Sequence, residues 1–248
     1  MIIRKSQGEL VTMREAGRII AGVLHEVKTF SKAGKTTKQL DDLARKLIKK
    51  EKAEPAFLGY KGYPASICTS INEQVVHGIP GEVVLKDGEL LSVDIGVKYK
   101  GYFADAAVTV PIGEVSENAK ALVEVAKKAL DDAKDKAVVG NHLYDISAAI
   151  QKRAEDNGFS VVRDFVGHGI GQKMHEDPQI PNFGERGTGP ILKEGMVLAI
   201  EPMVNQGKSE VKVLEDKWTV VTADKKLSAH FEHTIAVTSD GPQILTKL

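Results

Sequence analysis

Apolar side chains near the start of the chain recur every three or four positions. Met13, Ala16, Gly17, Ile20, Val23, Leu24 and Val27 fall on one stripe, and the spacing predicts an amphipathic helix. Ser6-Gln7-Gly8-Glu9 has the Ser-x-x-Glu form that caps such a helix, and Ser31 to Gly34 breaks it. Thr36-x-x-Gln39 opens a second helix with Leu40, Leu43, Ala44, Leu47 and Ile48 on one face, ended by Glu54-Pro55. Residues 57–81 are punctuated by Gly and Pro and suit short strands and loops. Residues 85–105 read as a hairpin of two strands. Ser116 caps a third helix that turns Leu122, Val125, Ala126, Ala129, Leu130 and Ala133 inward. A fourth runs from Leu143 to Asp156 and stops at Asn157-Gly158. Phe159 to Val162 and Phe165-Val166 read as strand, and residues 176–190 as a long irregular loop of the kind that often carries function. Strands at Met196–Ile200, Val211–Leu214, Trp218–Thr222 and His233–Val237 close the chain. Helices followed by strands, twice over, predict an α+β fold with helices packed on a largely antiparallel sheet.

The apolar pattern is broken in telling places. Asp94 sits among Leu90, Leu91, Val93 and Ile95, and Asp105 is flanked by Ala104, Ala106, Ala107 and Val108. A buried carboxylate must be neutralised, paired or bound to a metal. Two of them on neighbouring strands repel unless a cation lies between them. The segment Leu85 to Asp94 is echoed position by position by Leu192 to Glu201, with only Glu89 against Met196 out of step. Val76-His77-Gly78-Ile79 precedes the first copy and Gly167-His168-Gly169-Ile170 the second; Asp105 follows one and Glu232 the other. Each half therefore contains a His and two acids in order. This is a degenerate repeat of one large unit. It predicts a single domain over 1–248, with related halves of roughly 1–110 and 111–248 whose acids and at least one His meet at the seam.

Composition narrows the class. The chain has 248 residues, 42% hydrophobic and 27% charged, with 34 basic and 34 acidic side chains. That is an ordinary globular balance without the electrostatic footprint of a DNA-binding or membrane-surface protein. The lone cysteine, Cys68, excludes an internal disulfide and agrees with a reducing compartment. The N-terminal residues show no signal-peptide pattern and no segment has the length of apolar chain that spans a bilayer, so a cytoplasmic location is expected.

Asp94, Asp105, His168, Glu201 and Glu232 carry too much negative charge for one small divalent ion. They suit two cations bridged by shared carboxylates, with a water or hydroxide between them. Oxygen-rich ligation with one imidazole fits Mn, Fe(II), Co or Zn. For any single acid, pairing with Lys or Arg is the commoner fate; the duplicated pattern tips the balance. Glu9, Asp41, Asp42, Asp131 and Asp132 read as surface charges on helices. His-Glu-x-x-His, Cys-x-x-Cys and Gly-x-Ser-x-Gly are all missing, Gly34-Lys35-Thr36 lacks the upstream Gly of a phosphate loop, and Gly167 to Gly171 has the wrong spacing for a dinucleotide.

Taken together, Gly59 to Pro64, Ser70 to Glu73, His77 to Pro80, Val93 to Gly96, Gly167 to Gly171, His175 to Pro178, Ile200 to Met203 and His230 to Thr234 resemble the type I methionine aminopeptidases, in their short bacterial form. The resemblance covers essentially the whole chain. It implies the pita-bread fold and a hydrolase that removes the initiator methionine from nascent chains with a small second residue, using a water or hydroxide bridging two metal ions. By the same resemblance Asp105, His168, Glu201 and Glu232 bind the first ion. Asp94, Asp105 and Glu232 bind the second, and Glu201 helps take the proton from the attacking water. His77 is implied to contact the scissile amide nitrogen and His175 to stabilise the oxyanion. The methionine pocket is implied at Phe57, Tyr60, Tyr63, Cys68, His77, Met174 and Trp218. Phe57 stands where some members have Cys, and Met174 where many have an aromatic residue. A monomer is expected, with the ribosome a candidate partner. The related enzymes that cleave before proline usually carry a further N-terminal domain and more His residues around the site. A binding protein that kept the fold would have lost the ligands.

Overall fold

The computed structural model describes residues 1–247. Helix α1 spans Gln7–Phe30 and α2 Thr37–Lys50, each begun by a reciprocal capping box, Ser6 with Glu9 and Thr36 with Gln39. A short strand β1 (Glu54–Pro55), β2 (Ile67–Ile71), β3 (Gln74–Val76) and a long hairpin, β4 (Leu90–Tyr99) and β5 (Tyr102–Pro111), follow. Helices α3 (Glu117–Lys134) and α4 (Leu143–Glu155) lead to β6 (Ser160–Val161), β7 (Gly167–Gly169), β8 (Glu176–Ile180), β9 (Val197–Ile200) and β10 (Met203–Asn205). The chain closes with β11 (Val211–Val213), β12 (Val220–Thr222), β13 (Ser228–His230), β14 (Glu232–Thr238) and β15 (Gly241–Ile244).

Among the described residues a nine-stranded sheet runs β1-β4-β5-β14-β9-β7-β8, with β2 also on β4 and β15 on β14, and its recorded pairings are antiparallel. The fold is α+β, as the periodicity predicts. Helices α1 and α2 pack Ile20, Val23, Leu40 and Ile48 onto Leu91, Val93, Ile95 and Val97 of β4. Helices α3 and α4 bury Leu122, Ala126, Ile146 and Ile150 with Leu198 of β9 and Ile235 of β14. Each fully buried Leu or Ile stabilises by about 1.5–3 kcal/mol.

Several expectations need correction. Helix α2 stops at Lys50, and Glu54–Pro55 is a strand on the edge of β4. Phe165-Val166 is not strand; the strand begins one residue later, at Gly167, where His168 pairs with Ala199. Residues 176–180 of the expected loop are β8, which pairs with β7. Strands β10, β13 and β15 carry too few residues for alternation to show in sequence. Asp41 is not a surface charge. It is buried on α2, where its Oδ1 accepts from the backbone N–H groups of Ser66 and Ile67 at 2.7 and 3.1 Å.

Candidate metal centre and substrate cavity

The register of the central strands places the acids. Asp94 of β4 lies opposite Ala107 of β5, which lies opposite Glu232 of β14. His233 faces Ile200, so the next position along sets Glu232 across from Glu201, at the end of β9. One cross-strand row thus reads Asp94, Ala107, Glu232, Glu201. The adjacent row on the same face reads Gly96, Asp105, Thr234, Ala199, His168. Partners directly opposite share a face, so all five candidate ligands point the same way, away from α1 and α2. The positions between them hold Ala, Gly or Thr, which leaves space above the sheet. Gly167 and Gly169 flank His168 because a Cβ there would collide with the carbonyl oxygens of Ala199 and Asp177.

Asp105, His168 and Glu232 offer ligand atoms that all lie within 4.8 Å of one another. His168 Nε2 stands 3.5 Å from Asp105 Oδ2 and 3.6 Å from Glu201 Oε1. The Asp105 carboxylate is oriented by Thr234, whose hydroxyl donates to its Oδ1 at 3.0 Å. Among the described residues no Lys or Arg forms an ion pair with any of these acids; the partners within reach are imidazoles. Burial raises all four carboxyl groups above their ordinary range. At Glu232 the neighbouring carboxylates push further the same way; at Asp94 the His230 ring opposes the rise while Asp105 and Glu201 add to it; at Asp105 and Glu201 the His168 ring opposes the rise. Asp94 Oδ1 is buried without a hydrogen-bond partner. An acid cluster with no Lys or Arg partner among the described residues, and with an orphaned carboxylate oxygen, is a donor set for hard or borderline divalent cations.

Beside this cluster lies a cavity of about 190 Å³. Phe57, Tyr60, Tyr63, Cys68, Met174 and Trp218 line it together with His77, His175 and the acids of the cluster. Tyr63 packs edge-on against Trp218 at 5.1 Å between ring centroids. Burial, with Asp94 nearby, raises the Cys68 thiol well above its ordinary range, so the group stays neutral and serves as apolar wall. His77 adopts φ 61°, the left-handed region, and its ring packs edge-on to Trp218 and Phe165. Burial pulls its pKa down to about 4, with His230 adding to the effect. His175 stacks on Tyr60, and its Nδ1 lies 2.8 Å from the Tyr60 hydroxyl. Burial, followed by His168 and Lys61, lowers it to about 3. Both imidazoles are neutral near pH 7 and can present an N–H to a substrate without carrying charge.

The sequence profile of Metallopeptidase family M24 matches residues 11–239. The chain belongs to metallopeptidase family M24. It is 54% identical to methionine aminopeptidase 1 of Bacillus subtilis over 248 residues, covering 100% of both chains. It is 53% identical to the methionine aminopeptidase of Clostridium perfringens over 246 residues, covering 99% of each. The crystal structure of the methionine aminopeptidase of Thermotoga maritima superposes with a TM-score of 0.99 at 47% identity, covering 100% of each chain. Prolidase from Pyrococcus furiosus shares the fold, with a TM-score of 0.81 at 23% identity over 99% of this chain and 66% of that one. The architecture is the M24 pita-bread fold, and the chain is a hydrolase of a metal-dependent family.

This M24 site also contains groups that the sequence reading passed over. His230 is 2% exposed, and its Nε2 stands 3.6 Å from Glu201 Oε2. It appears in the His230-Phe-Glu-His-Thr234 motif but takes no part in the duplicated His-acid-acid pattern, so the repeat does not flag it. Lys61 also lines the cavity, from the Gly59 to Pro64 turn, where the resemblance marks the stretch but not this side chain.

Proposed function

We infer that the chain removes N-terminal methionine from nascent polypeptides whose second residue is small, acting as a single catalytic unit built from two related halves. The observation that carries this reading is an aromatic-walled cavity lined also by a cluster of acids that have no Lys or Arg ion pair among the described residues. An unbranched thioether suits such a wall, since sulfur packs well against aromatic edges. Divalent ions bound at the cluster, the first by Asp105, His168, Glu201 and Glu232 and the second by Asp94, Asp105 and Glu232, would activate a water as nucleophile and polarise the scissile carbonyl.

The protein's own groups do the rest. Glu201 accepts the proton from the attacking water. The N–H of neutral His175 would serve the carbonyl oxygen as it gathers charge, the position at which a preorganised donor contributes most. His77 donates toward the amide nitrogen that leaves. Phe57, Tyr60, Tyr63, Cys68, Met174 and Trp218 hold the methionine side chain. The donor set admits Mn, Fe(II), Co or Zn. Every group comes from one chain, so a monomer suffices. No helix among the described residues is long and apolar enough to cross a membrane.

Metal-stripped protein should fail to cleave Met-Ala-Ser, and Mn, Co or Fe(II) should restore cleavage. Met-Leu-Ser should remain uncut under the same conditions. Normal hydrolysis by a preparation shown by elemental analysis to be metal-free would refute the reading.

A further inference from the structure

The Glu201 carboxylate is bracketed by two imidazoles. Its Oε1 faces His168 Nε2 and its Oε2 faces His230 Nε2, each at 3.6 Å. His168 is accounted for as a ligand; His230 is not. The backbone of His230 is pinned on both sides, its N–H donating to Thr109 Oγ1 at 2.8 Å and its carbonyl accepting from the same hydroxyl at 2.9 Å. Thr109 is held in turn by Ser92 at 2.7 Å across the hairpin. The backbone that carries the ring is therefore fixed in place. Its Nε2 is buried and has no hydrogen-bond partner. An orphaned interior nitrogen is costly, and the residues that keep one usually put it to use.

We propose that His230 is a positioning residue whose Nε2–H, directed at Glu201 Oε2, orients that carboxylate so that Oε1 stays turned toward His168. The proposal rests on the reading of Glu201 as ligand and proton acceptor. Glu201 has two oxygens and two tasks, and a freely rotating carboxylate would exchange them. A nitrogen that faces a carboxylate oxygen is stable there only as a donor, which assigns a proton to Nε2. Outer partners of this kind orient ligands, and their loss typically weakens metal binding or activity about 10–100-fold.

Two variants and one measurement on the unmodified chain test this. His230→Leu removes the donor and keeps the volume; His230→Gln keeps an N–H at similar reach. Titration of metal-free protein with Mn(II) by calorimetry should show the Leu variant binding about 10-fold or more weaker, with the Gln variant close to wild type. The Co(II) absorption bands should shift in the Leu variant and recover in the Gln variant. In metal-loaded protein the Leu variant should lose kcat more than it raises KM. The ring ¹⁵N shifts of His230 in wild-type protein should report the Nε2–H tautomer, and that result stands even if the Leu variant fails to fold. An Nδ1–H tautomer, unchanged metal affinity in His230→Leu, or equal loss in both variants would overturn the proposal; the last would make the imidazole itself a ligand. Wild-type protein that binds no divalent metal and cleaves no Met-Xaa peptide would instead sink the functional reading beneath it.

Discussion

Asp216 lies outside the substrate cavity yet governs one of its walls. Its carboxylate accepts from the backbone N–H groups of Trp218 and Thr219 at 2.9 and 2.8 Å, and from the Thr219 hydroxyl at 2.6 Å. Burial alone would raise its pKa; the bonds from Thr219 and Trp218 outweigh it and hold the group below the ordinary aspartate range. The sign follows. An acid whose folded pKa is depressed contributes its stability above its unfolded pKa, about 3.9, and loses it as pH falls through the folded value. Since Trp218 is the single tryptophan of the chain, its fluorescence reports this turn. Wild-type emission should stay constant down to about pH 4 and shift below it. Asp216→Ala should show the shifted emission already at pH 7, together with a raised KM for Met-Ala-Ser. Identical spectra for the two proteins at pH 7 would count against the turn as the anchor. At this scale the sequence was uneven. The acids Asp94, Asp105, Glu201 and Glu232 were legible because a charge inside an apolar strand is anomalous. His230 was not, because its neighbours give no reason to expect a buried orphan, and only the fold brings it to Glu201.

Asp41 couples two elements that sequence periodicity treats separately. It sits on the capped α2 helix and accepts from the N–H groups of Ser66 and of Ile67, where β2 begins; β2 in turn pairs with β4 from Ile67 opposite Ile95 to Ile71 opposite Leu91. Asp41→Ala would leave two buried N–H groups without acceptors, at about 1–3 kcal/mol each. Urea denaturation should show a loss of about 2 kcal/mol or more, against less than about 0.5 kcal/mol for the neighbouring exposed Asp42→Ala. Equal effects would mean that the helix–strand bond contributes nothing. The misreading of Asp41 as a solvated charge has a plain cause. Helical spacing says which residues face the sheet, but not which polar residue at the margin meets an incoming strand. The long helices and the β4–β5 hairpin were legible because their periods run over many residues. Strands of three residues, such as β7, β10 and β13, form because the sheet recruits them, and nothing local announces them.

Across the whole molecule, the candidate ligands come from residues 94–105 and 168–232, so ions at the centre would tie early and late parts of the chain together. A ligand that binds only the folded state stabilises it by about 2.7 kcal/mol when present at one hundred times its dissociation constant. Chelation should therefore lower the thermal midpoint, and Mn(II) should raise it in a concentration-dependent way. A midpoint indifferent to both would argue that the cluster binds no metal when folded. The prolidase likeness, at 23% identity and a TM-score of 0.81, shows that this frame persists while most side chains change.

The two cross-strand rows carry a consequence for how such a chain can vary. A donor at one position can be exchanged for another and the frame will still gather its neighbours. Length is less forgiving. A single-residue insertion inside β5 or β14 turns the side chains beyond it onto the opposite surface of the sheet. An insertion ahead of Asp105 would then point it toward the helices, and one after Glu232 would put Thr234 and the residues that follow out of register with it. A two-residue slip keeps the surface but moves each group into the wrong row. Insertions and deletions should accordingly be confined to the connections, and the spacing within those strands should be inherited as strictly as the acids themselves.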